Sequence, residues 1–285
     1  MRQMISFPCG DDLLAGTLDT GELATAILIV SGGNEIRSGA FAGQATMAAH
    51  FAALGYPVFR FDRRGVGESE GLNTGFENSA DDIAAAVAAF RNAAPRTERI
   101  VAFGNCDAAS ALALFHHKLS IDALILANAW VIDAPSGDAA QSPVPNADAI
   151  RARYWARLKN PRSLIDLLTG KIDLRKLAGG LASAARKQPA SGLAAELATA
   201  LARSAVPITV LVAQRDTTAM AFMGAWQSGI FADVQARPDV RLAQFDTASH
   251  GFADAASRHW LFEQIQSQCQ APFNPSPVKE SERRE

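Results

Sequence analysis

Cysteine is scarce in this chain. The three present among 285 residues, Cys9, Cys106 and Cys269, lie far apart and are odd in number. They make no disulfide framework and no metal-binding spacing. The five histidines, His50, His116, His117, His250 and His259, also lack the spacing of a metal site. No metal and no cofactor is therefore expected. No apolar run approaches the roughly 20 residues that a bilayer-spanning helix takes. The opening Met1-Arg-Gln-Met-Ile-Ser-Phe-Pro-Cys-Gly10 is too short an apolar run for a signal peptide. Neither sign of charge dominates: 27 basic side chains stand against 29 acidic ones, a net of −2. With no long basic run, nucleic acid is not an expected partner. There is no internal repeat. A reducing cytoplasm is the simplest home for such a chain. Its oligomeric state has no signature in the sequence.

What is present is apolar residue, 48% of the chain, arranged in alternating strands and helices. Ile5 to Pro8 and Leu13 to Leu18 flank a turn and read as an antiparallel hairpin. The continuous apolar run Ala24 to Val30 reads as a strand buried on both faces. Further strands are expected at Pro57–Phe61, Ile100–Phe103, Ala123–Ala127, Pro207–Ala213 and Val240–Phe245. Helices are expected at Phe41–Leu54, Ser79–Asn92, Ala108–Phe115, Met220–Gln227 and Ala255–Gln268. Such alternation predicts an α/β fold with a mostly parallel, doubly wound sheet.

The alternation breaks after residue 133. Residues 134–205 have loop-like and then helical pattern, with helices expected at Ile150–Leu158, Ser163–Leu168 and Gly192–Ala202. This predicts a helical lid inserted between two parts of one core, 1–133 and 206–270. The lid is basic, carrying Arg151, Arg153, Arg157, Lys159 and Arg162 among others. That charge reads either as a solvated helix face or as a surface meeting an anionic substrate. The end, 271–285, is rich in Pro, Ser and charge and is expected to be disordered.

The centre of the chain is Gly104-Asn105-Cys106-Asp107-Ala108, between an expected strand and an expected helix. A small-x-nucleophile-x-small pattern there has the form of a nucleophile elbow, with cysteine in place of serine. Gly104 and Ala108 are small because the turn leaves no room for more. The following helix points its positive end at the sulfur and favours thiolate. A buried structural thiol is the competing reading of Cys106. Two further residues decide between them. Asp216 and His250 each lie just past the end of a later strand. Parallel strands bring such ends to one edge, where open α/β sheets build their sites. In that arrangement His250 takes the thiol proton and Asp216 orients His250. Asp216 could instead cap the helix after it. Asp246 and Asp254 are the alternative acids, and Asp107 is expected to cap the elbow helix. The other four histidines read as structural.

An oxyanion hole needs two backbone donors. One is expected from Asp107, the residue after the nucleophile. The other is expected from Gly33, or secondarily Asn34, in the loop after the first buried strand. Arg63 and Arg64 read as structural.

The nucleophile–acid–histidine order resembles the α/β-hydrolase superfamily over nearly the whole chain. The stretch Phe61-Asp-Arg-Arg-Gly-Val-Gly-Glu-Ser69 is similar to the FDxRGxGxS loop common there. Gly104-Asn-Cys-Asp-Ala-Ala-Ser110 and Ser31-Gly-Gly-Asn-Glu-Ile-Arg-Ser-Gly39 further resemble the exosortase A system-associated hydrolase 1 family. This chain departs from that family at Asn105 and at Asn34-Glu35. The resemblance implies a link by association with exopolysaccharide and protein-sorting gene sets, which leaves the substrate open. Arg37, six residues after Ser31 and matching that family's arginine, is expected to touch an anionic or polar part of the substrate, with a surface arginine as the competing reading.

Thiolate leaves a tetrahedral intermediate more readily than alkoxide does. Small-molecule or acyl-carrier esters and thioesters with good leaving groups therefore suit Cys106 better than amides. Hydrolysis is the expected outcome. Acyl transfer to a second substrate uses the same acyl-enzyme, and a non-catalytic scaffold is the alternative from a different class.

Overall fold

Eight strands join one sheet among the described residues, which are 1–133 and 192–272 of a computed structural model. They are β1 (Arg2–Cys9), β2 (Asp12–Asp19), β3 (Thr25–Val30), β4 (Val58–Phe61), β5 (Arg99–Asn105), β6 (Ala123–Ala127), β7 (Ile208–Ala213) and β8 (Val240–Phe245). The order across the sheet is β1-β2-β4-β3-β5-β6-β7-β8. β1 pairs with β2, and β2 with β4, antiparallel; the five remaining pairings are parallel. The helices are α1 (Gly43–Ala53), α2 (Ala80–Ala93), α3 (Asp107–Phe115), α4 (Gly192–Ala202), α5 (Thr217–Trp226), α6 (Ala232–Gln235) and α7 (Ala255–Gln270).

Side-chain alternation divides each central strand between two cores. Ile27 and Ile29 of β3, Val58 of β4, and Val101 and Phe103 of β5 meet Met47 and Phe51 of α1 and Leu261 and Ile265 of α7. Ala26, Leu28 and Val30, with Ile100 and Ala102, face the other way, toward Ile83 and Phe90 of α2 and Leu112 of α3. Both faces are covered, so the strands read as continuous apolar runs. Helix α4 adds Leu193, Leu197 and Leu201 to this second core and packs on α3. The rest of the expected lid, 134–191, and the tail from 273 lie outside the described residues.

One boundary differs for a clear reason. The helix expected from Phe41 begins at Gly43, because Phe41 and Ala42 take left-handed φ values of 50° and 56°. A right-handed helix cannot run through them, and a 3₁₀ turn, Ala40–Ala42, stands there instead.

The junction of β5 and α3 is the tightest point. A Cβ on Gly104 would lie 2.8 Å from the backbone of Ala108 and Ala109. Neither backbone segment can yield cheaply. Gly104→Ala is therefore expected to destabilise the fold by about 1–3 kcal/mol, read as a lower midpoint in urea unfolding.

Candidate active site

Strands β5, β7 and β8 are parallel, and their carboxyl ends share one edge of the sheet. Cys106 follows β5 directly, with φ 61° and ψ −128°. Positive φ strains any side-chain-bearing residue and persists only when its surroundings hold it. Here they do. The Cys106 N–H donates to Ala127 O at 3.0 Å, and its carbonyl accepts from Trp130 N at 3.2 Å and Ala109 N at 3.1 Å. Cys106 is half-buried at the start of α3, whereas Cys9 and Cys269 are buried.

Asp216 leaves β7 and caps α5, its Oδ2 accepting from Ala219 N at 2.9 Å. The same oxygen lies 3.0 Å from Nδ1 of His250. Capping and orienting are thus one arrangement, not alternatives. Burial pushes the Asp216 carboxyl up, but the hydrogen bonds from His250 and Ala219 outweigh it and hold the group below its ordinary range. His250 is pushed up to about 10, first by its hydrogen bond to Asp216 and next by Cys106. A cationic ring between a carboxylate and the sulfur is the consequence.

The alternative acids are engaged elsewhere. Asp246 pairs with Arg215 at 2.7 Å, out in solvent. Asp254 caps α7 through Ser257 N at 3.0 Å and accepts from Thr247 Oγ1 at 3.1 Å. Among the other histidines, His116 is buried with Nδ1 donating to Ala113 O at 2.9 Å, and His259 faces Glu263 at 3.3 Å in solvent. His50 packs on Phe262, and His117 lies edge-on to His116.

The loop after β3 departs from expectation. Gly33 does not offer its amide, which donates to Asp107 Oδ1 at 2.6 Å. The Gly33 carbonyl accepts from Arg63, and Arg63 Nη2 lies 3.7 Å from Asp107 Oδ2. Asp107 therefore ties the loop to the elbow instead of capping α3. The amides of Asn34 and Asp107 take no acceptor among the described residues. Gly32 is where the loop comes closest: a Cβ there would lie 2.6 Å from Asn105 O and 2.8 Å from Asp107 Oδ1.

Arg37 also departs from expectation. Its guanidinium is committed to the protein, with Nη1 on Asp62, Nη2 on Glu68, and Nε on Thr17 Oγ1 at 3.0 Å. Asp62 is fully buried and needs this cation. Three of its five N–H groups are spent on these partners, and two carboxylates already balance its charge. Spacing from Ser31 places Arg37 near the loop but cannot show that carboxylates from another loop surround it.

The family model described as Serine aminopeptidase, S33 (Hydrolase_4) matches residues 21–253. The chain belongs to this family. It is accordingly an enzyme of the α/β-hydrolase class. No curated protein matches the chain. Among solved structures, the Pyrococcus furiosus esterase Pf2001 is 16% identical with a TM-score of 0.64, covering 96% of this chain and 92% of that one. Proline iminopeptidase from Mycobacterium smegmatis is 17% identical with a TM-score of 0.57, covering 94% and 99%. The thioesterase domain from the curacin biosynthetic pathway is 13% identical with a TM-score of 0.54, covering 94% and 99%. At these identities the likeness is one of α/β-hydrolase fold. The family's description names serine; this member carries cysteine at the elbow.

Sequence reasoning passed over one residue of this serine aminopeptidase family member, Asn128 at the end of β6. Its signal was a polar residue closing the apolar run Ala123–Ala127 at the same sheet edge as Cys106 and Asp216. Among the described residues no helix is long and apolar enough to cross a membrane, and no cluster of three or more His, Cys, Asp or Glu could hold a metal ion.

Two outcomes are expected. Arg37→Ala strands Asp62 as a buried, unpaired charge and should cost about 3–5 kcal/mol of stability, measured by urea unfolding, with no selective loss on anionic acyl donors. The second concerns pH. His250 is raised from its ordinary 6.5 to about 10, so its contribution is complete below 6.5 and is lost as pH rises through about 10. Asp216 is lowered from its ordinary 3.8, so its contribution is complete above 3.8 and is lost as pH falls through its folded value. The stability gap between wild type and Asp216→Asn should thus be widest between these ordinary values and shrink toward pH 10. A gap independent of pH would contradict the pairing.

Proposed function

We propose that this enzyme hydrolyses an ester or thioester through a covalent acyl-enzyme, with Cys106 as nucleophile, His250 as acid and base, and Asp216 as orienter. The observation that carries it is the 3.0 Å contact from His250 Nδ1 to the buried Asp216, which leaves Nε2 for the sulfur of the strained elbow. Asp216 holds the ring in the orientation that turns Nε2 toward the sulfur and stabilises the imidazolium once it forms.

The steps follow. The Cys106 thiolate attacks the substrate carbonyl carbon, forming a C–S bond and an oxyanion. The N–H of Asp107 stabilises that oxyanion. With Gly33 N–H committed to Asp107 Oδ1, Asn34 N–H is the loop donor left for it. The tetrahedral intermediate collapses, and the departing alkoxide or thiolate takes the proton of His250. His250 then removes a proton from water, the hydroxide attacks the new thioester, and Cys106 leaves as thiolate. Leaving-group quality decides the first collapse, so thioesters and activated esters of small molecules or acyl carriers are the substrates of choice. The chain's motifs shared with exosortase A system-associated hydrolase 1 support a role beside such systems. Dependence on a reduced thiol suits a reducing, cytoplasmic setting.

Selective alkylation tests the nucleophile. Burial pushes the Cys269 thiol up to about 12, and burial with the charge of Asp82 beside it raises that of Cys9. Iodoacetamide at mildly acidic pH is expected to modify Cys106 first, with turnover of nitrophenyl esters and acyl thioesters falling in step. An activated ester should leave its acyl group on Cys106, seen by mass spectrometry. Wild-type turnover by Cys106→Ala on every substrate the native enzyme cleaves would overturn the mechanism.

A further inference from the structure

We infer that Asn128 is a positioning residue that fixes His250 relative to Cys106; this rests on the Cys106–His250–Asp216 assignment above. Asn128 is fully buried and takes a left-handed φ of 44° at the exit of β6. Its backbone N–H still donates to Leu211 O of β7 at 2.9 Å, extending the ladder by one residue. There the main chain turns away, and the side chain replaces it: Oδ1 accepts from Ala213 N at 2.8 Å. The amide nitrogen uses both its hydrogens. It donates to the carbonyl of His250 at 2.8 Å and to Oδ1 of Asn105 at 3.1 Å.

One side chain thus touches the residue before the nucleophile, the strand that delivers Asp216, and the backbone of the histidine itself. Its neighbours complete the grip, because Ala127 O and Trp130 N hold the two backbone groups of Cys106. Among the described residues, Asn128 Nδ2 is the donor that reaches the His250 carbonyl. The chemistry selects asparagine. Two acceptors and one donor converge on a buried point, which needs a group with two N–H bonds and one oxygen. Aspartate has no such donors, leucine has no polar atoms, and glutamine is one methylene too long. Asparagine is also among the few residues that tolerate a left-handed backbone. Asn105 Oδ1 is the acceptor that uses the second hydrogen. A drift of about 1 Å between reacting groups can cost on the order of 100-fold in rate, so this anchor bears on catalysis without touching substrate.

The test uses two substitutions in the full chain. Asn128→Gly keeps the left-handed backbone at no steric cost and removes the anchor. Asn128→Asp keeps the shape and sets a carboxylate oxygen against two acceptors. Both are expected to lower kcat on a p-nitrophenyl ester by about 10- to 100-fold, with KM within about twofold. Iodoacetamide labelling of Cys106 at pH 6 should slow by a similar factor. A mere packing residue would lower the unfolding midpoint without moving the pH 6 labelling. Wild-type kcat and wild-type pH 6 labelling in a folded Asn128→Gly protein would overturn the proposal. Should neither variant fold, Asn105→Ala removes one of the two acceptors from a half-exposed position. A several-fold fall in kcat, with slower pH 6 labelling, then supports the anchor, and wild-type values overturn it. Indifferent labelling of the three cysteines in the wild-type protein, with full turnover by Cys106→Ala, would instead overturn the triad assignment and this inference with it.

Discussion

The backbone of Cys106 is the constraint on which the rest of the structure depends. Passing from a buried strand to a buried helix within one residue requires a left-handed φ of 61° at a side-chain-bearing position. That conformation survives because its N–H and carbonyl are gripped by Ala127 and Trp130. It also dictates glycine at two places, Gly104 under the helix and Gly32 against the elbow, where a Cβ would strike backbone or carboxylate. The strain has a return: the sulfur is raised to the sheet edge at a helix N-terminus, half-exposed, beside a histidine delivered by another strand.

Charge around the site is organised in buried pairs, and each pair ties a loop down. Arg37 and Asp62 join the loop after β3 to the loop after β4. Arg60 and Asp19 brace the neighbouring strands at 3.3 Å, and Arg60 also holds the Arg37 carbonyl at 2.5 Å. Arg63 and Asp107 clamp the two polar groups of Gly33. A cation so placed is needed where it is, since removing one partner leaves the other buried and uncompensated. This is why Arg37, Arg60 and Arg63 serve the scaffold near the edge.

Asp216 shows how one group meets two demands. Its Oδ2 caps α5 and faces His250, so the helix that follows β7 fixes the carboxylate, and the carboxylate fixes the ring. Cap and orienter reinforce each other, because a helix N-terminus and a cationic imidazole both favour the ionised acid. The same economy appears in Asn128, whose side chain both ends a strand and reaches the histidine loop.

The fold and the order of the site residues were legible from local signals. Apolar runs such as Ala26–Val30 specify buried strands, their alternation with helices specifies a parallel sheet, and a parallel sheet brings strand ends together. Cys106, Asp216 and His250 could therefore be picked out as strand-end residues, since chain order and strand polarity are linear information. The pairings inside the loops were not legible. Nothing local tells that Asp62 and Glu68 would consume Arg37, that Asp107 would take the Gly33 amide, or that Asn128 would reach His250 across 122 residues. Those contacts form between segments far apart in sequence, and buried polar groups accept whichever partner the packed sheet brings within hydrogen-bond reach. The sequence by itself determined which core elements form and at which sheet edge Cys106, Asp216 and His250 meet. Only the tertiary structure decided which polar side chains pair with one another at that edge, because desolvation favours whatever partner packing brings within reach.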